Sequence, residues 1–338
     1  MNILAVESSC DETAVAIVRD GREVLCDCIA SQVDLHKTYG GVVPEIASRM
    51  HIEAIYGLAE QALSKTGLPR QDIDAVAVTY APGLIGAVLV GVNFAKAAAL
   101  AMNKPLIPVH HIRGHIAANY LAYPELKPPF LCLVVSGGHT MIVDVQDYTK
   151  MEILGTTLDD AAGECFDKVA RVLGMPYPGG AALDKAAANG DETKYSLPRS
   201  KPGENPLNMS FSGLKTAALN LIHHAEQVGE ALDVPSLCAA FSAAVSDTLV
   251  PRVVEALEKT GRKHLAIAGG VAANSRIRRD ILSAANRMGV SVFMPPLSLC
   301  GDNAAMIGAQ AYYEYMAGNT AGMDLNAFAT KSILGESL

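Results

Sequence analysis

Two strand–turn–strand units constrain this chain more than any other feature. Residues 2–8 read as a strand, Ser8-Ser9-Cys10-Asp11-Glu12-Thr13 as a polar turn, and residues 14–18 and 23–29 as two further strands. Much later, residues 130–135 read as a strand, Ser136-Gly137-Gly138-His139-Thr140 as a turn, and a second strand runs to Val145. The copies share architecture, not residues. Short apolar runs bounded by turn chemistry are strand signals. A hairpin that recurs, each time followed by helical patterning, predicts a duplicated α/β domain with a cleft between the copies. At 338 residues, half of them hydrophobic and 18% charged, the chain has material for two cores.

The rest of the pattern fills this frame. Helices are expected over about 45–64, from 83 to about 102, after His115, and over 158–168 and 181–185. Others open at 211–216, span 236–259 with a break at Pro251, run from 274 to 288, and start at 300–303 with Asp302 or Asn303 as cap. The segment ending at Met102 is apolar almost all round and reads as buried between layers. Strands are expected at 74–79, 106–109, 264–268 and 291–294, and residues 189–208 read as a polar loop. The expected boundary divides the chain into lobes 1–108 and 109–338, with the last helix and tail packing back on the first.

Composition excludes several classes. The opening residues carry no basic leader, no secretory signal is expected, and no apolar run reaches the roughly 18 residues of a membrane span. Seven scattered cysteines, with Cys26 and Cys28 the one close pair, read as thiols in a reducing cytosol. A net charge of −8 gives no bulk attraction to nucleic acid. Arg276, Arg278, Arg279 and Arg287 are the best basic patch, and they read equally well as a solvated helix face.

Candidate chemistry starts at Val109-His110-His111-Ile112-Arg113-Gly114-His115. Helical spacing would aim His111 and His115 at one metal ion, with His110 beside them. Asp302 reads either as a helix cap or as an oxygen ligand. Asp11 and Glu12 are carboxylates carried on the first hairpin. Gly269-Gly270 between a strand and a helix suits a ribose or phosphate.

Taken together, Glu7 to Thr13, Tyr39-Gly40-Gly41-Val42-Val43-Pro44-Glu45, the histidine stretch, Val135-Ser136-Gly137-Gly138-His139-Thr140, residues 160–168, Ser210-Phe211-Ser212-Gly213-Leu214-Lys215, Gly269-Gly270-Val271-Ala272-Ala273-Asn274 and Asp302-Asn303 resemble one family nearly end to end. It is the bacterial TsaD family, tRNA adenosine threonylcarbamoyltransferases formerly called O-sialoglycoprotein endopeptidases. The resemblance implies the duplicated actin/Hsp70/sugar-kinase α/β fold, two lobes around a nucleotide and metal cleft. It implies transfer of a threonylcarbamoyl group from threonylcarbamoyl-AMP to the N6 amine of the adenosine at tRNA position 37, in a cytoplasmic, membrane-free setting. It also implies one divalent metal per subunit, iron(II) or zinc, on His111, His115 and Asp302. Substrate contacts carry over to Val134, Val135, Ser136, Gly137, Gly138, Asp167, Gly180, Asp184 and Asn274. Partners implied are the tRNA anticodon loop and the proteins TsaB and TsaE, with TsaC or its relative making the adenylate.

The chemistry of such a transfer agrees with these residues. A carbamoyl-AMP is already activated, so the enzyme needs positioning, charge stabilisation and a proton acceptor. Asp11, assisted by Glu12, is the expected acceptor, and the Ser136-Gly137-Gly138 amides suit phosphate or a developing oxyanion. Two rivals remain at this stage: a metalloprotease, and a kinase or ATP-binding scaffold of the same fold. A gluzincin-type protease places glutamate directly after its first histidine, where this chain has Ile112.

Overall fold

The computed structural model describes residues 1–200 and 203–334. Lys201 and Pro202 of the expected 189–208 loop, and tail residues 335–338, lie outside the described residues. The chain forms two compact units, one of Met1–Pro128, Gln146–Met151 and Pro295–Leu338, the other of Pro129–Val145 and Glu152–Met294.

In the first unit β1 (Asn2–Glu7), β2 (Glu12–Arg19) and β3 (Glu23–Ser31) form an antiparallel meander. After α1 (Val33–Lys37) and α2 (Pro44–Thr66), β4 (Ala75–Ala81) pairs parallel with β1. Helix α3 (Ile85–Met102) leads to β5 (Leu106–His110), parallel to β4, and α4 (His111–Ala122) follows at once. The segment from β5 into α4 runs unbroken through residues 108 and 109, where the sequence suggested a lobe boundary.

In the second unit β6 (Phe130–Val135) pairs antiparallel with β7 (Thr140–Val145), and β8 (Met151–Thr156) lies beyond β7. Helices α5 (Ala162–Val172), α6 (Gly179–Ala187), α7 (Ser212–Val228) and α8 (Val234–Thr260) precede β9 (His264–Ala268), which pairs parallel with β6. Helix α9 (Ser275–Arg287) and β10 (Ser291–Phe293) complete it. The strand orders are β3-β2-β1-β4-β5 and, read from the other edge, β8-β7-β6-β9-β10. The duplication expected from the two hairpins is therefore a repeated five-strand topology.

The last helix, α10 (Ala304–Met316), belongs to the first unit. Strand side chains alternate between faces, and here the two faces differ in size. Leu4, Val6, Val15, Ile17, Val76 and Val78 face a core completed by α2 and α3. Ile3, Ala5, Ala14, Ala16, Ala75 and Ala77 form a flatter face against α10. The approach is close enough that a Cβ at Gly308 would lie 2.6 Å from Val18 Cγ2.

Several expectations change. Helix α3 is buried on one face only, since Ile85, Leu89 and Leu100 are exposed. Contrary to the composition argument, α3 and the 27-residue α8 are long and apolar enough to cross a membrane. Helix α8 spends that apolarity inside the second unit, with 78% of its most apolar window buried, and α3 packs its buried face on α2 and β4. Pro251 does not break α8: its position is exposed, and buried residues on both sides hold the axis. Strand β8 went unrecognised because Gly155 interrupts it, where any Cβ would strike the Leu207 carbonyl oxygen at 2.3 Å. Half of the arginine patch on α9 is paired with acids, Arg276 with Glu192 and Asp280 and Arg279 with Asp280. All seven cysteines are free thiols, five of them buried.

Candidate active site and metal centre

The metal centre grows from two helix starts. His110 caps α4, its Nδ1 accepting from the Ile112 amide at 3.2 Å. The helix then presents His111 and His115 one turn apart, with ring centroids 4.6 Å apart. At α10 the choice of cap is settled: Asn303 Oδ1 accepts from the Met306 amide at 2.8 Å. Asp302 instead turns to the histidines, its Oδ1 3.5 Å from His111 Nε2 and 3.2 Å from His115 Nε2. Gly114 permits this meeting, because a Cβ there would lie 2.7 Å from Ile307 Cδ1 of α10.

These residues fit a divalent ion. One donor atom from each of the three lies within 4.8 Å of the others. Ligands about 2.1 Å from a common ion at tetrahedral angles sit roughly 3.4 Å apart, which the two Asp302 separations match. Both ring nitrogens of His115 are buried with no aligned hydrogen-bond partner, despite the nearby carboxylate. A buried polar atom left so is costly, and a cation beside Nε2 removes that cost. Burial disfavours charge on His111, yet Asp302 and Glu7 outweigh it and push its pKa up to about 9. The surroundings are built to hold positive charge.

Glu7 is the residue that sequence reasoning missed. It ends β1 fully buried, and its Oε2 lies 3.0 Å from His111 Nδ1, with Ser9 Oγ 3.2 Å from the same nitrogen. The Ser9 amide and Thr79 Oγ1 both donate to this carboxylate at 2.5 Å. Burial would raise the pKa of Glu7, but His111 and Thr79 hold it lowered. A carboxylate on Nδ1 fixes the tautomer and leaves Nε2 as the nitrogen that could bind an ion. The signal was present: Glu7 is the one acid in its strand and follows the buried apolar run of residues 3–6.

The turn between β1 and β2 carries the expected acids into the same neighbourhood. Asp11 is buried, and Glu12 opens β2 with its Oε1 accepting from Ser31 Oγ at 2.8 Å. Burial and the hydrogen-bonded Asp11, with Asp302 adding to them, push Glu12 up to about 9, so it is protonated at neutral pH. Buried His51 of α2 supports the turn, its Nε2 donating to the Cys10 carbonyl at 2.9 Å.

The second unit gathers the remaining residues at the equivalent hairpin. Val134 and Val135 are wholly buried strand residues, paired with Met141 and Thr140. Ser136 is buried, whereas Gly137 and Gly138 are exposed with open space where side chains would be. Glycines frame this turn: a Cβ at Gly163 would sit 2.5 Å from the Ser136 carbonyl oxygen. One at Gly269, whose φ is +93°, would sit 2.5 Å from the Val135 carbonyl oxygen. Asp167 Oδ1 accepts from the Gly179 and Gly180 amides at 2.8 and 3.1 Å, holding the start of α6. Asp184 accepts from Ser275 Oγ at 2.8 Å, and Asn274 caps α9 through the Ile277 amide at 3.0 Å. Asp159 and Asp160 tie the approach to α5 to the start of α7 through Ser210, Ser212 and Lys215. Burial would raise Asp160, but Lys215, Ser212 and Lys168 hold it at about 2.

The sequence profile of TsaD, tRNA N6-adenosine threonylcarbamoyltransferase, matches residues 23–309. This chain belongs to the TsaD family. A tRNA N6-adenosine threonylcarbamoyltransferase of Moorella thermoacetica is 55% identical over 96% of this chain and 95% of its own length. One from Clostridium botulinum (strain 657) is 50% identical over 97% and 96%. Among solved structures, T. kodakarensis HypF superposes with a TM-score of 0.66 at 15% identity, covering 96% of this chain and 49% of HypF. Component A of (R)-2-hydroxyglutaryl-CoA dehydratase from Acidaminococcus fermentans gives 0.53 at 14% identity, covering 94% and 99%. These distant likenesses show the duplicated fold that the TsaD resemblance implied.

Proposed function

We propose that this TsaD-family enzyme transfers the threonylcarbamoyl group of threonylcarbamoyl-AMP to N6 of adenosine 37 in tRNAs reading codons that begin with A. What carries the reading, within a chain of this family, is the trio of buried His111 and His115 with half-buried Asp302, in which the His115 ring nitrogens have no aligned hydrogen-bond partner. The adenosine N6 forms a bond to the carbamoyl carbon, the carbon–oxygen bond to phosphate breaks, and AMP leaves with the electron pair. Asp11 receives the amine proton. Glu12, protonated, is hydrogen-bonded to it. Exposed Gly137 and Gly138 offer backbone amides to the phosphate. Asp167, Gly180, Asp184 and Asn274 line the approach for the adenosine.

A divalent ion on His111, His115 and Asp302, iron(II) or zinc by donor type, supplies a template and Lewis acid for the threonylcarbamoyl group. Peptide hydrolysis is disfavoured, since Ile112 stands where a gluzincin carries its base. The net charge of −8 and the pairing of Arg276 and Arg279 with acids support tRNA docking with the help of TsaB and TsaE, in the cytoplasm.

The test is reconstitution with TsaB, TsaE, TsaC, tRNA, threonine, bicarbonate and ATP, followed by mass spectrometry of the nucleosides. Threonylcarbamoyladenosine should form, and Asp11→Ala should slow it by about 10²–10³-fold while retaining the metal. No product where a Moorella relative succeeds would refute the transferase reading. Loss of metal in Asp11→Ala would refute only the role of Asp11.

A further inference from the structure

We infer that the final described segment, residues 321–334, is a working part of the metal centre: a strap that fixes where α4 places His111 and His115. The inference rests on the metal-site reading above and extends it to residues that touch no ligand atom.

The segment starts at the open edge of the first sheet, where the Ala321 amide donates to the Leu106 carbonyl of β5 at 2.9 Å. Leu325 and Ala327 are buried against the core beneath α3, and Lys96 Nζ donates to the Leu325 carbonyl at 3.1 Å. The Phe328 amide then donates to the Tyr80 carbonyl at 2.9 Å, and the Gly83 amide to the Ala329 carbonyl at 3.2 Å. From there the strap crosses the start of α4. His110 Nδ1 accepts from Ile112, so Nε2 carries its proton and donates to the Lys331 carbonyl at 3.0 Å. Arg113 is buried, and its Nε and Nη2 both donate to the Ile333 carbonyl, at 3.0 and 2.8 Å. Its Nη1 donates at 2.8 Å to Glu314 of α10, the helix that Asp302 precedes.

The residue before His111 and the one two places after it thus both end on the strap. Arg113 joins α4, α10 and the strap, the three segments whose relative placement sets the ligand separations. Chelation demands ligand positions within about 0.5 Å, so a strap that lifts releases the turn on which His111 sits. Linkage makes this reciprocal: if docking the strap favours the ion, the ion favours docking by the same factor.

Hydrogen exchange of the full chain, stripped and then saturated with zinc alone, tests this directly. Zinc should slow amide exchange across 326–334 about tenfold in the wild type, and His115→Ala should abolish both zinc binding and that protection. Ile333→Ala, which loosens the anchor, and Arg113→Met, which leaves Glu314 its donors Gln310 and Asn319, should each weaken zinc binding by about five- to tenfold. Unchanged strap exchange on zinc binding would overturn the inference. So would zinc affinity within twofold of wild type in Ile333→Ala once its strap exchange is shown to be faster. Stoichiometric zinc in His115→Ala would overturn the metal-site reading, and the strap inference with it.

Discussion

The two hairpin turns occupy the same place in the same topology and have opposite chemistry. Between β1 and β2 the turn is acidic and buried, with Glu7, Asp11 and Glu12 crowded near Asp302. Between β6 and β7 it is bare backbone, with Gly137 and Gly138 open to solvent and Gly163 and Gly269 pressed beneath. A repeated strand order supplies two equivalent ledges, and side-chain choice makes one suited to cations and the other to anions. Fold duplication set the geometry; a handful of residues set the charge of each ledge.

Variants can break the comparison one ledge at a time. Asp302→Ala should remove the metal and at least about 10³-fold of activity, because the remaining two histidines cannot close the site. Metal analysis and circular dichroism check it; retained stoichiometric metal would mean another residue is the third ligand. Glu7→Gln keeps the shape of the partner to His111 but not its charge, and metal affinity should fall about 10–100-fold. AMP binding measured by calorimetry should stay as in wild type. Gly163→Ala does the reverse. Its new methyl forces the Ser136 carbonyl aside, so AMP affinity should drop about tenfold, or about 1.4 kcal/mol, with metal content intact. A parallel loss of metal would show the ledges are not independent.

The smallest effect concerns pH. In the metal-free protein Glu12 is raised to about 9 from 4.5, so between those values the folded state holds a proton that the unfolded chain has released. Stability therefore falls as pH rises through that window. Thermal melts of stripped protein from pH 5 to 9 should show the decline, and Glu12→Gln should flatten it.

Much of this was legible because buried strands announce themselves as apolar runs. The hairpins at residues 2–18 and 130–145 and the helix expected after His115, which starts a turn earlier at His111, needed no tertiary information. What escaped depended on partners distant in the chain. Glu7 acquires meaning only when His111 arrives beside it, and His110 became a cap and an anchor once Lys331 was in place. The cap at α10 hung on which of two adjacent residues turned toward the histidines. Of the α9 arginines, which read as a docking patch or a solvated face, Arg276 and Arg279 proved to be paired with Glu192 and Asp280. Pro251 shows the opposite limit: a strong local breaker is overruled when burial on both sides holds the helix.

The placement of α10 in the first unit has a consequence for how the centre is born. His111 and His115 emerge during synthesis well before Asp302, with the whole second unit still to be made between them. At about 5–20 residues per second, that interval is on the order of ten seconds or more. During it the nascent chain offers two imidazoles and a carboxylate on Nδ1, but no third ligand. An ion held by all three residues therefore has to wait until the second unit has been synthesised.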